Sequence, residues 1–193
     1  MKILAINTAI KETSIALTDG KKIIHERSWG SFSNEAEKLM PEIAKAFKKA
    51  KIDFKEIKKI IVLKGPGTFT GLRVGVAAAN TISYLLNVPI YSLTTFDYLY
   101  EKYKKYPIVL YAGRKEIYIK KSAKEELIIC KAEDTEKFLK TAYGEILPEQ
   151  KKFFKKIKLT KSKKTFGQVI ANLNPKILKK EKIVEPLYIK KPY

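Results

Sequence analysis

The sequence predicts an α/β protein on a mixed sheet, with elements in the order β-β-β-α-β-α-β followed by a shorter second set. Three observations carry this. Alternating segments at 13–18 and 23–28 flank Asp19-Gly20, the kind of pair a tight hairpin uses. The run Ile60-Ile61-Val62-Leu63 is short, β-branched and continuous, as a strand buried on both faces should be. It leads directly into Gly65-Pro66-Gly67-Thr68-Phe69-Thr70-Gly71-Leu72-Arg73-Val74-Gly75, where four glycines and a proline punctuate the junction with a helical stretch.

Residues 2–8 with the two hairpin strands make an antiparallel meander. A helix over 35–51 comes next, with Ala36, Leu39, Met40, Ile43, Ala44, Phe47 and Ala50 at helical spacing and lysines opposite. Asn34 with Glu37 three residues on has the form of a capping box, and Pro41 inside the pattern predicts a kink or a later start. The strand at 60–63 and the glycine motif lead into a helix over 72–86, then a strand at 89–93 and a helix at 95–103. The polar stretch 101–107 marks a boundary, dividing the chain into lobes 1–106 and 107–193. Strands restart at 108–112, 116–120 and 126–130. The remaining helices, near 134–139 and 165–173, are short, so the second lobe is reduced.

In the glycine motif, glycine suits positive φ or close backbone approach, and Pro66 stiffens the turn. Free N–H groups at the helix start offer an anion seat; close strand-to-helix packing explains the same residues. The spacing matches neither the Walker A loop nor the dinucleotide fingerprint. In the helix that follows, Leu72, Val74, Val76, Ala77, Ala78, Ala79, Ile82, Leu85 and Leu86 cover nearly the whole circumference, so it is buried on more than one side. Its small residues form a smooth surface for a second helix, from this chain or another.

Composition excludes several classes. The single cysteine, Cys130, allows no internal disulfide and fits a reducing cytoplasm. The apolar start at residues 3–6 is too short for a secretory segment or a membrane span, so a cytoplasmic protein without membrane contact is expected. His25 is the only histidine, which leaves almost no material for a histidine metal site or a Ser-His-Asp triad. The net charge of +20 permits contact with nucleic acid phosphates, yet only three of the 40 basic residues are arginine, and base readout leans on Arg, Asn and Gln. Residues 151–164 hold eight lysines and no acid around Phe153 and Phe154. They read either as an RNA-facing patch with stacking aromatics or as a solvated face over two core phenylalanines.

The motif Gly65 to Gly75, taken with the opening Ile3-Leu4-Ala5-Ile6-Asn7-Thr8 and the closing Val184-Glu185-Pro186-Leu187-Tyr188-Ile189-Lys190, resembles the TsaB (YeaZ) family. That is the non-catalytic dimerisation subunit of the machinery that makes threonylcarbamoyladenosine beside the tRNA anticodon. The resemblance implies a two-lobe, actin-like and ribonuclease-H-like (ASKHA) architecture with a Gcp-like domain. It also implies a heterodimer with the TsaD paralogue through the helices at 35–51 and 72–86. Leu39, Met40, Ile43, Phe47, Val74, Ala77, Ala78 and Ile82 would supply the interface, and Arg73 an exposed charged contact. Metal and ATP would sit on partner subunits and none on this chain. The TsaD metal histidines align with Thr95 and Leu99 here, and neither can replace an imidazole. A TsaE-like P-loop ATPase and tRNA would join the assembly, and the chain alone could form a homodimer through the same helices.

Two departures bear on activity. Relatives often open with Asp-Thr where Asn7-Thr8 stands, and they show Asp-Ala-Arg where Tyr111-Ala112-Gly113 stands, before Glu116-Ile117-Tyr118. Both weaken the rival reading of a small ASKHA-fold ATPase or phosphotransferase. A third reading, an autonomous basic RNA-binding protein, rests on lysine content.

Overall fold

The structure, a computed structural model, describes residues 1–30, 34–113, 115–160 and 162–189. Arg114, Lys161 and Lys190, each within or beside a stretch singled out above, lie outside them. In chain order the elements are β1 (Lys2–Asn7), β2 (Glu12–Asp19), β3 (Lys22–Gly30), α1 (Glu35–Ala50), β4 (Ile57–Gly65), α2 (Phe69–Leu86), β5 (Ile90–Thr94) and α3 (Thr95–Tyr103). There follow β6 (Ile108–Tyr111), β7 (Glu116–Lys120), β8 (Ile128–Lys131), β9 (Thr141–Glu145), β10 (Lys158–Thr160), α4 (Phe166–Ala171) and β11 (Lys179–Glu181). Short 3-10 helices occupy Phe54–Glu56, Ala132–Lys137, Pro148–Phe154 and Pro175–Ile177.

The chain divides into two compact units, Met1–Thr95 with Lys164–Tyr193, and Phe96–Lys163. The boundary expected at 106 is thus not where the units divide. The segment after Lys163 returns to the first sheet, where β11 pairs antiparallel with β5 and α4 packs on β2 and β3.

In the first unit the strand order is β11-β5-β4-β1-β2-β3. β1, β2 and β3 form the antiparallel meander, and β4 and β5 continue from β1 in parallel. Gly20 takes φ +56° in the hairpin between β2 and β3, a conformation glycine adopts without a Cβ clash. Strand alternation places Leu4, Ile6, Ile15, Leu17, Ile60 and Val62 in one cluster with Leu39, Ile43 and Phe47 of α1 and Val76, Ala79 and Ile82 of α2.

α1 starts at Glu35, so Pro41 stands inside it, and the later start does not occur. Its ring removes the bond that would reach the carbonyl of Glu37, an exposed residue that solvent can serve. The capping box expected at Asn34 is absent. Asn34 sits at φ −119°, ψ 23° instead of the extended cap conformation, and caps only through its backbone carbonyl, which accepts from Lys38 N–H at 3.1 Å. True capping boxes occur at Asp53 with Glu56 and at Thr165 with Gln168.

In the second unit the order is β10-β9-β6-β7-β8, with β6, β7 and β8 antiparallel and β9 and β10 parallel to β6. This repeats the connectivity of β5-β4-β1-β2-β3. Its helical connectors are the 3-10 pieces Ala132–Lys137 and Pro148–Phe154, where a full helix was expected only as a short one near 134–139. Its core is Val109, Ile117, Ile119, Ala132, Leu139, Ala142, Phe154 and Ile157. Mixed sheets, two repeats and a shortened second half match the expected α/β two-lobe class. No helix among the described residues is long and apolar enough to cross a membrane.

Candidate functional site

The glycine motif closes β4 and opens α2 against the turn after β1. Gly65 lies at φ +114°, and the Gly65–Pro66 peptide is cis. A Cβ on Gly67 would run into the backbone of Ala9, one on Gly71 into the carbonyl of Thr8, and one on Gly75 into the Thr8 hydroxyl, each inside 3.0 Å. Three of the four glycines therefore allow the α2 N-terminus to lie against residues 8 and 9. Hydrogen bonds fix the contact: Thr8 Oγ1 donates to the Gly71 carbonyl at 2.6 Å, and Thr68 N–H donates to the Ala9 carbonyl at 2.9 Å. These contacts fill the close-packing reading of the motif.

Asn7 is fully buried and both ends of its amide are engaged by the same turn. Nδ2 donates to the Glu12 carbonyl at 3.0 Å and Oδ1 accepts from Ala9 N–H at 3.0 Å. Asn7, where the resemblance implies a carboxylate, is here a turn brace.

The closing segment lies along α2. Asn80 clamps Val184 through both backbone groups, donating to its carbonyl at 2.9 Å and accepting from its N–H at 3.0 Å. Leu187 N–H donates to the Lys64 carbonyl at 2.7 Å. Arg73 stacks on the Phe69 ring at 3.8 Å and donates to Tyr188 Oη at 3.2 Å, so it is exposed but partnered within the unit. Lys64 and Ser92 both donate to Glu181, tying β11 to β4 and β5. Burial pushes the Glu181 carboxyl up, but these two donors outweigh it and hold it below the usual glutamate range.

The predicted interface residues separate into two groups. Leu39, Ile43, Phe47 and Ile82 are buried in the core of their own unit, because α1 and α2 pack against each other and against the sheet. They cannot touch a partner directly, which corrects their assignment. Met40 is 46% exposed, Ala77 is exposed, and Val74 and Ala78 are half-buried at the rim of the core. Thr70 and Thr81 join them on the open side of α2, as does Tyr84 near its end. Periodicity marked α2 as apolar all round without telling which side meets the sheet. Thr8, Asn80 and Tyr188 escaped sequence reasoning because their partners are more than 60 residues away.

Elsewhere, chemistry is sparse. His25 sits half-buried on β3 opposite Leu17. Thr95 and Leu99, at the aligned metal-histidine places, are fully buried. Among the described residues no three His, Cys, Asp or Glu side chains cluster as metal ligands would. Burial pushes the Cys130 thiol up, away from the reactive thiolate. Phe154 belongs to the second unit's core and Phe153 packs against it, so the aromatics of the lysine-rich run are structural.

Comparison with known proteins adds four findings. The family model "TsaD: tRNA N6-adenosine threonylcarbamoyltransferase" matches residues 32–177. A protein of Buchnera aphidicola subsp. Schizaphis graminum, "tRNA threonylcarbamoyladenosine biosynthesis protein TsaB", is 32% identical over 160 residues, covering 80% of this chain and 75% of its own. A "tRNA N6-adenosine threonylcarbamoyltransferase" of Phytoplasma australiense is 35% identical, but over only 47% of this chain and 32% of its own. Among solved structures, YeaZ from Pseudomonas aeruginosa superposes with TM-score 0.58 at 18% identity, over 68% of each chain, a likeness of fold.

Proposed function

The chain belongs to the TsaB (YeaZ) family, and from that premise we propose that it is a non-catalytic dimerisation subunit in tRNA threonylcarbamoyladenosine biosynthesis. Its partner is a TsaD-like paralogue, which carries the metal and the transfer chemistry, and a TsaE-like ATPase and tRNA complete the assembly.

One observation carries this reading. The glycine motif faces inward, fixing α2 on the Thr8–Ala9 turn, while the outer side of α1 and α2 keeps Met40, Ala77 and the rim of Val74 and Ala78 uncovered. The 16 residues of α1 and 18 of α2, at about 1.5 Å rise and ~10 Å width per helix, present a face of roughly 500 Å2 in projection. Accessible area exceeds projected area, which brings this face toward the lower end of the roughly 600–1,000 Å2 per side of a specific interface. Small residues at its centre let a partner helix approach closely.

The rival phosphotransferase reading is disfavoured by Asn7, whose amide is engaged at both ends in the turn where a catalytic carboxylate would be needed. The deciding experiment is sedimentation of the chain alone and mixed with the TsaD-like protein of the same genome, for the wild type and a Met40→Glu/Ala77→Glu variant. Both substitutions sit on exposed positions, so the fold should persist. A heterodimer present in the wild type and lost in the variant supports the proposal. Absence of any complex at micromolar concentration refutes it.

A further inference from the structure

We propose that the second unit carries a contact surface for the RNA phosphate backbone, formed by Lys140, Lys151, Lys152, Lys155, Lys156 and Lys158. It rests on the preceding reading in one respect, the choice of RNA among polyanions.

These six side chains are all exposed. The 3-10 turn Pro148–Phe154 and the strand β10 hold them together from beneath. Phe154, only 6% exposed, and Ile157 insert into the core, and Gln150, fully buried, donates to the Gly113 and Glu116 carbonyls at 2.8 and 3.1 Å. Lys158 N–H donates to the Lys140 carbonyl at 3.0 Å, which brings the start of β9 beside β10. The lysines therefore stand on an anchored scaffold.

Their charge is poorly neutralised. Elsewhere lysines find carboxylates: Lys2 with Glu56, Lys45 with Glu42, Lys64 with Glu181 and Lys137 with Asp134. Among the described residues, only Lys156 of this surface has one, Glu136, at a loose 3.9 Å with the lysine 86% exposed. Glu149 adjoins it in the same 3-10 turn. The other acids of the neighbouring 3-10 helix, Glu133 and Asp134, pair with Lys131 and Lys137, so the six lysines keep an excess of positive charge whose field attracts a polyanion.

The side chains also select among polyanions. A membrane-surface element would expose its aromatics to the lipid interface; here Phe153 and Phe154 face the core, and Lys152 lies 5.0 Å above the Phe153 ring. Lysine binds phosphate as a point charge and lacks the fork that reads guanine. The surface would therefore position RNA without reading its sequence.

The test measures binding of an unmodified tRNA transcript to the full chain by fluorescence anisotropy across a salt series. Each neutralised phosphate contributes about −0.9 to the slope of log K against log salt in a duplex. Changing Lys151, Lys152, Lys155, Lys156 and Lys158 together to Gln should make the slope shallower by up to about 4.5, and Lys151→Gln/Lys152→Gln alone by up to about 1.8. A control changing Lys21, Lys22, Lys176, Lys179 and Lys180, all exposed in the first unit, should retain the steep slope. An unrelated RNA duplex should bind as well as the tRNA arm. Equal slopes for the patch and control variants would overturn the proposal, as would binding of phosphatidylserine vesicles but no RNA. Sedimentation of the patch variant with the TsaD-like protein reads the subunit proposal separately, so either can fail without the other.

Discussion

Replacing Gly75 with alanine tests the view that the glycine motif exists for close packing. Gly75 is helical, so alanine should gain about 1 kcal/mol from helix propensity. Against this, the new Cβ would lie about an ångström inside the 3.0 Å limit from Thr8 Oγ1, with Thr8 Cβ and Cγ2 at 3.1 and 3.2 Å. Thr8 is fully buried and held by its bond to the Gly71 carbonyl, so it has nowhere to rotate. Overpacking costs roughly 1–3 kcal/mol or more, and an approach this far inside the limit to a fixed side chain belongs at the upper end, about 2–3 kcal/mol, so Gly75→Ala should destabilise by about 1–2 kcal/mol net. Thr8→Ala alone loses a buried hydrogen bond, about 1 kcal/mol, and leaves a small void. In the double variant the alanine methyl takes the vacated space, so the loss should fall short of the sum by ~1 kcal/mol or more. Urea unfolding of the four proteins measures the cycle. If Gly75→Ala is as stable as the wild type or more so, or the two changes add, the close-approach account of the glycine is refuted.

Two further outcomes follow from the titrating groups. Glu181 is held below its unfolded value, so its contribution is fully present above the ordinary glutamate pKa of about 4.3 and disappears as pH falls through the depressed folded value; the melting-temperature gap between wild type and Glu181→Gln should shrink steadily below that pH, and a gap that is constant with pH would contradict it. Tyr103 is pushed up to about 12, by burial first and by Glu145 second, so a near-ultraviolet titration of Tyr103→Phe should lack a phenol component near that value that the wild type shows; identical titration curves for the two proteins would contradict it.

The first sheet was legible because its signals are local. The Asp19-Gly20 turn, the apolar β4 run and the helix at 95–103 each depend on a few neighbouring residues, and the strands at 108–111 and 116–120 restart with the same alternation. What escaped depends on distant partners. β11 is Lys179-Lys180-Glu181, with no apolar alternation at all; it is a strand because β5 offers it an edge and Glu181 finds Lys64 and Ser92. β9 and β10 are three to five residues long and too short to show a period. At the candidate site the glycines were legible as needing close approach, yet the object approached, the Thr8–Ala9 turn, lies some 60 residues earlier. The interface list mixed core and surface for a similar reason: hydrophobicity places Leu39 and Met40 side by side, and only the packing of α1 on α2 and the sheet separates them.

The repeated strand order bears on why α1 and α2 are as long as they are. Both units lay an antiparallel meander beside two parallel strands, so both sheets have an apolar face of similar kind to cover. The second unit covers its face with 3-10 connectors of six and seven residues, using Leu139, Phe154 and Ile157 as plugs. Its strands are also shorter, three to five residues against six to nine in β1 to β4, so there is less face to cover. In the first unit the same connections run to 16 and 18 residues, and an outer face of Met40, Ala77 and Thr81 stays uncovered. Small side chains on the open side of α2 are what a helical partner would use, and the shorter connectors of the second unit carry exposed lysines instead. The two proposals thus assign different contacts to the two halves of one topology, protein to the first and phosphate to the second.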